Sequence, residues 1–259
     1  MSLQTESQTR KNSDERWTTI KLFALLVPRD GMSSLDFFAH WRYVHGPLAG
    51  RIRRAVSYVQ SHRLPLQPAD LPVLPHGGTA EVEFVDLESA AGLLDDPDYT
   101  TGAAHDEHNF HHMDRMTALQ TTCHVVLAGP PIRRDTGGIK VMQFVRRAVD
   151  SSPDEFRAAW LTGIAGEAAA LSALRCARAH RWAHVPADGE AGEARRFDGV
   201  RELWWPDQWA FDIARAREPE AWAQIERGPG IEPAASGFLA TVENRVVWPD
   251  PDVSNDHQR

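Results

Sequence analysis

The chain has 259 residues, a formal net charge of −8, 42% hydrophobic and 25% charged residues. This is the balance of a globular protein long enough for two domains, and its excess of acids argues against nucleic-acid binding, which needs clustered lysine and arginine. No apolar run approaches the roughly 20 residues that span a bilayer. The polar stretch 1–16 lacks the pattern of a secretion signal or an anchor, and two cysteines without a paired framework fit a reducing cytoplasm.

Residues 1–16 read as a disordered tail. Trp17 to Val27 reads as a strand buried on much of both faces, followed by the turn Pro28-Arg29-Asp30-Gly31. Next comes a helix in which Phe37, Trp41, Val44 and Leu48 fall at helical spacing and make an apolar face. Ser33 and Ser34 are placed to cap it. Gly46-Pro47 is expected to end or kink it, leaving His45 at a helix end where an imidazole can face a cavity. Ala55 to Leu64 is a second strand, with Tyr58, Gln60 and His62 on one face and Val59 on the other. A proline-rich loop, a strand from Gly78 to Asp86 and a short helix from Leu87 to Leu94 follow. A histidine-rich helix is expected from Thr100 to Met116, then a strand from Thr121 to Ala128. Residues 129–138 form the clearest linker.

Beyond the linker the order recurs: strand 139–149, a helix opened by Ser152-Pro153-Asp154-Glu155, strand 174–185, a polar loop at 187–196, strand 199–205, helices 207–217 and 219–227, strand 238–248, and a short tail at 250–259. Phe37-x3-Trp41 matches Phe156-x3-Trp160 at an offset of 119, Gln60-x-His62 matches Arg178-x-His180 at 118, and Gly78-x2-Glu81 matches Gly199-x2-Glu202 at 121. Offsets that agree this closely indicate a tandem duplication. Each half, 17–128 and 139–249, reads β-α-β-β-α-β, the ferredoxin-like order with one bare sheet face. The expected fold is therefore α+β: two ferredoxin-like repeats that form an intramolecular pseudo-dimeric barrel.

Several side chains could carry chemistry. His45 can exchange protons near neutrality. Tyr58, Gln60 and His62, side by side on a strand, could polarise a phenol or carboxylate. His105, His108 and His112 share a face of the expected helix, and the last two have a chelating spacing. The order His-Glu-x-x-His is absent, however, and no third ligand is placed, so no metal is expected.

The string Phe37-x3-Trp41-x3-His45-x-Pro47-Leu48, with Tyr58-Val59-Gln60-Ser61-His62, Gly78-x2-Glu81 and Asp106-Glu107-x2-Phe110, resembles the EthD family of the dimeric α+β barrel superfamily. The resemblance is good over 18–128 and weaker over 139–248. It implies a cofactor-free lyase, cyclase or isomerase acting by proton transfer on a hydrophobic aromatic or polyketide-like molecule. The alternatives are a cofactor-free oxygenase of a phenol or anthrone, or a non-catalytic ligand- or haem-binding barrel. His45, His62 and His108 are the implied catalytic residues, with Phe37, Trp41, Tyr58, Gln60 and Phe110 around the substrate. At the offset of 119, His45 becomes Ile164 and Pro47 becomes Gly166. The active site is thus expected in the N-terminal half alone, in a monomeric pseudo-dimer or a homodimer.

Overall fold

The computed structural model describes residues 19–162, 164–185, 196–228 and 230–249, with only the backbone at 164 and 165. The expected tails at 1–16 and 250–259, and nearly all of the loop at 187–196, lie outside the described residues. Eight antiparallel strands close into one barrel: β1 (Ile20–Leu26), β2 (Ser57–Arg63), β3 (Gly78–Phe84), β4 (Thr117–Leu127), β5 (Ile139–Val145), β6 (Arg178–His184), β7 (Gly199–Trp205) and β8 (Gly237–Val247). Around the ring the order is β1-β3-β2-β8-β5-β7-β6-β4. The run β4-β1-β3-β2 of the first half therefore recurs as β8-β5-β7-β6 in the second, with seams at β2/β8 and β4/β6.

Strand alternation sorts side chains between the barrel interior and the outer face. Phe23, Leu25, Leu119, Met142, Phe144, Trp182 and Leu239 share one buried cluster inside. The proline-rich loop after β2 adds Leu74 to that cluster. A group of charges shares the interior: the Lys21 Nζ lies 3.1 Å from Glu81 and 3.2 Å from Glu202, and the Lys140 Nζ lies 2.5 Å and 3.0 Å from the same two acids. Both cysteines are free, Cys123 on β4 and Cys176 just before β6.

The helix after β1 is capped as its serines suggest, since the Ser33 hydroxyl accepts the Asp36 amide at 3.1 Å. Gly46-Pro47 does not end it. α1 (Ser34–His40) runs through a π-helical turn, Trp41–His45, into α2 (Gly46–Ala49). Pro47 has no amide hydrogen for the carbonyl four residues back, and a wider turn leaves room for its ring. The Gly46 amide accordingly bonds the Trp41 carbonyl, five residues back. His45 is thus buried mid-helix rather than placed at a free end. Trp41 lies on the strand beneath: a Cβ at Gly78 would stand 2.7 Å from its ring, so only glycine fits there. Gly199 meets the Trp160 ring in the same way.

After α3 (Leu87–Ala91), a second π-helical turn, Tyr99–Ala103, leads into α4 (Ala104–Phe110). The expected helix to Met116 stops at Phe110, because His111 is extended, with φ −137° and ψ 165°. His112 therefore leaves the face that was to hold His105 and His108. In the second half the helices are α5 (Pro153–Leu161), α6 (Ile164–Ala173), α7 (Gln208–Arg217) and α8 (Pro219–Glu226).

Strand pairing corrects one offset. β2 places Val59 opposite Glu81 and His62 opposite Gly78, whereas β6 places His180 opposite Glu202 and Ala183 opposite Gly199. The β2/β6 offset is therefore 121, not 118. His180 is the counterpart of Val59, and its Nδ1 stands 3.9 Å from the interior Glu202.

Candidate active site

A cavity of about 610 Å³ lies between the outer face of the first half's sheet and the helices that cover it. Its sheet wall owes its depth to three alanines. Ala80, Ala24 and Ala118 face one another across β3, β1 and β4. The corresponding row in the second half is Arg201, Gln143 and Phe238. There Arg201 is fully buried, donates from Nε to Glu167 at 3.0 Å and from Nη1 to the Ile225 carbonyl at 2.6 Å, and stacks on Trp160 at 4.9 Å. Large side chains thus fill in one half the space that alanines leave open in the other.

His45 lines the cavity from the π-helical turn, and its Nδ1 lies 3.2 Å from Asp106 on α4. Asp106 also accepts from His40 Nε2 at 2.9 Å and from Asn109 Nδ2 at 3.1 Å. Burial works to raise the Asp106 pKa, but the bonds from Asn109 and His40 outweigh it and hold the carboxyl below its ordinary range. An ionised carboxylate only accepts, so the His45 proton sits on Nδ1 and Nε2 keeps its lone pair. Burial lowers the His45 pKa to about 4 against the opposing pull of Asp106. Nε2 has no hydrogen-bond partner among the described residues.

Glu107, the next residue, also lines the cavity, and the Tyr99 hydroxyl donates to it at 3.2 Å. Burial raises its pKa to about 7, with the neighbouring Asp106 charge adding to the effect. Tyr58 reaches the cavity from β2. Its hydroxyl accepts from Trp41 Nε1 at 3.2 Å and from Gln60 Nε2 at 3.1 Å, which leaves its own hydrogen for a ligand. Burial raises its pKa to about 12. No lysine or arginine lines the cavity among the described residues.

Of the site residues expected from the sequence, the cavity brings together His45 and Tyr58, if only as lining groups. Gln60 stands behind Tyr58 and is fully buried. His62 is sandwiched between Phe38 and Trp41, ring centroids at 5.1 and 4.7 Å, and does not line the cavity. Phe37, Trp41 and Phe110 form a buried cluster beside the site, with the Phe110 ring 4.9 Å from His45. His108 is exposed on the solvent side of α4. Among the described residues no three His, Cys, Asp or Glu converge to hold a metal ion. The pattern of the sequence did not mark Tyr99 or the alanine row, and it pointed to His108 where the cavity receives Glu107.

The EthD domain family matches residues 29–114, the span that carries both π-helical turns, His45 and Asp106-Glu107. No curated protein sequence matches the chain. Among solved structures, an anthrone oxidase-like protein is 11% identical with a TM-score of 0.56, over 90% of this chain and 94% of its own. A candidate monooxygenase from Fusobacterium nucleatum is 8% identical with a TM-score of 0.53, over 89% and 94%. A chlorite dismutase from Candidatus Nitrospira defluvii is 7% identical with a TM-score of 0.50, over 88% and 92%. At these identities the likeness shows the fold alone, an α+β fold with a closed eight-stranded barrel, and the match to the EthD family falls in its first half. Among the described residues no helix is long and apolar enough to cross a membrane.

Proposed function

We propose that the chain is a small-molecule enzyme that moves protons without a cofactor, on an apolar aromatic or polyketide-like substrate held in the EthD domain. One observation carries the reading: His45 lines an apolar cavity while Asp106 holds its Nδ1, which leaves Nε2 as the nitrogen without a hydrogen-bond partner among the described residues. As Nε2 takes a proton, Asp106 stabilises the imidazolium that forms, the arrangement of a general base with an orienting carboxylate. The Tyr58 hydroxyl is available to a substrate oxygen. We further infer that the two halves arose by duplication and that the second, its cavity filled, serves as a built-in partner in place of a second subunit.

The oxygenase reading uses the same base, since a deprotonated phenol or anthrone can react with oxygen directly. The haem-binding reading has less support, because the cavity wall offers no lysine or arginine to the carboxylates of a haem. Anthrone is a fitting probe, being apolar, uncharged and enolisable. Incubated with the protein in D2O, it is expected to exchange its C10 protons faster than in buffer. Exchange without enzyme-dependent oxygen uptake in air marks the proton-transfer enzyme, such uptake marks the oxygenase, and neither event means that the reading fails.

The alanine row gives a separate check on where the ligand sits. Ala118→Phe copies the Phe238 of the second half, so it should fold normally. It should weaken anthrone binding by at least roughly tenfold, because a phenyl ring takes the ligand's space. Quenching of tryptophan fluorescence by anthrone reads the affinity, and an unchanged value places the ligand elsewhere.

A further inference from the structure

Asp106 and Glu107 are neighbours on one helix, where successive side chains point about 100° apart. That angle separates their surroundings. Asp106 faces three donors, His40, His45 and Asn109. Glu107 lines the cavity, and among the described residues its carboxyl is bonded only by the Tyr99 hydroxyl, at 3.2 and 3.3 Å to its two oxygens. No cation lines that space among the described residues. An ionised carboxylate there would lose hydration without gaining a counter-charge. Two acids with such different environments divide into a charged one and a neutral one.

We propose that Glu107 is a second catalytic group of the cavity, a carboxylic acid that gives its proton to a substrate carbonyl oxygen while His45 removes a proton from a carbon conjugated with that carbonyl, and that the substrate is an uncharged enolisable ketone rather than a carboxylate. This rests on the reading of His45 given above. In the step, His45 Nε2 takes the proton from that conjugated carbon, C10 in anthrone, and the C–H bond breaks. Its electron pair forms a new carbon–carbon double bond, the conjugated π bonds of the ring shift one place, and the carbonyl oxygen, receiving the C=O π pair, takes the Glu107 proton. The products are an enol, an imidazolium on His45 and a carboxylate on Glu107, so the net charge of the pocket is unchanged. Reversal with a deuteron from solvent gives isotope exchange. A carboxylate substrate would bring a second negative charge to a site without a cation.

The remaining groups around the pair fit this assignment. Tyr99 and Tyr58 face Glu107 from the second π-helical turn and from β2, and burial raises both phenols. His40 and His111 act on His45 from the elements beside it, together with Asp106. The reactive state needs His45 neutral and Glu107 protonated. Those states coexist between about pH 4, the His45 value, and about pH 7, the Glu107 value.

The test follows anthrone exchange from about pH 4 to about pH 9 in the wild type, Glu107→Gln and His45→Ala, with binding of anthrone and of 2-naphthoate measured alongside. In the wild type the rate should fall as pH rises through about 7. Glu107→Gln keeps the shape and neutrality of the acid, so anthrone affinity should change by less than about twofold, while exchange at pH 6 drops by at least roughly tenfold and the alkaline fall disappears. The wild type should bind 2-naphthoate far more weakly than anthrone. If Glu107→Gln keeps the wild-type profile while His45→Ala is inactive, or if 2-naphthoate binds as tightly, this inference is overturned and the wider reading stands. A wild-type protein inert toward anthrone overturns both.

Discussion

Alanine in place of His45 is expected to slow anthrone exchange by roughly a hundredfold to ten-thousandfold, the usual contribution of a positioned general base. The fold should survive. His45 is neutral when buried, so its removal strands no charge; Asp106 keeps its bonds from His40 and Asn109. The lost contact is with Phe110, and a cost of about 1–2 kcal/mol covers it. Asp106→Asn should also be slow, because it removes the charge that stabilises the imidazolium and allows the proton to move from Nδ1 to Nε2. His62→Ala is the contrasting variant. His62 stacks on Trp41 away from the cavity, so its loss should act on stability more than on turnover. Full activity in a folded His45→Ala protein would remove the base from the mechanism.

The acid side of the same result follows from the shift at His45. Its folded value near 4 lies below the ordinary 6.5 of the unfolded chain. Between those two values the unfolded state binds a proton that the native state refuses, so this group lowers stability as pH falls from 6.5 toward 4. Above 6.5 it contributes no pH dependence. His45→Ala should therefore show a shallower loss of stability over that interval, read from urea midpoints at about pH 7 and about pH 5.

Much of this arrangement was legible in the chain. Alternation alone placed Tyr58 and Gln60 on one face, and the spacing from Phe37 to Pro47 marked His45. What the sequence hid has three physical causes. The direction in which α4 faces the sheet is set by packing and not by its own sequence, so the resemblance pointed to His108 where the cavity receives its neighbour Glu107. A strand has a period of two, so an error of three residues in the repeat exchanges faces; His180 was thereby matched to His62 though it belongs with Val59, toward the barrel interior. Finally, Ala24, Ala80 and Ala118 carry no signal in the sequence. Only the cross-strand register makes them one row and opposes them to Gln143, Arg201 and Phe238.

Inside the barrel, Lys140→Met is expected to cost about 3–5 kcal/mol of unfolding free energy at pH 7, the typical penalty for breaking a buried ion pair from one side. Lys140 is fully buried, and its Nζ touches Glu81 at 2.5 Å, Glu243 at 2.9 Å and Glu202 at 3.0 Å. Methionine fills nearly the same volume, so packing is a minor part of the loss. What remains is a set of carboxylates with Lys21 as the chief neutralising group, Arg245 reaching only Glu243. Burial alone would raise the Glu202 pKa; Lys21 and Lys140 overcome it and hold the group below its ordinary 4.5, as Lys140 and Arg245 do for Glu243. Groups lowered in this way contribute stability above their unfolded values and lose it as pH falls through the folded ones. The penalty of Lys140→Met should accordingly be full at pH 7 and shrink below about pH 4.5, where the acids can take up protons instead. Adding Glu81→Gln should recover part of it at pH 7, because it removes one of the carboxylates left without a partner. Urea unfolding of the two variants at both pH values decides the matter. A penalty under about 1 kcal/mol, or one that is equal at the two pH values, would mean that the cluster holds its charge balance without Lys140.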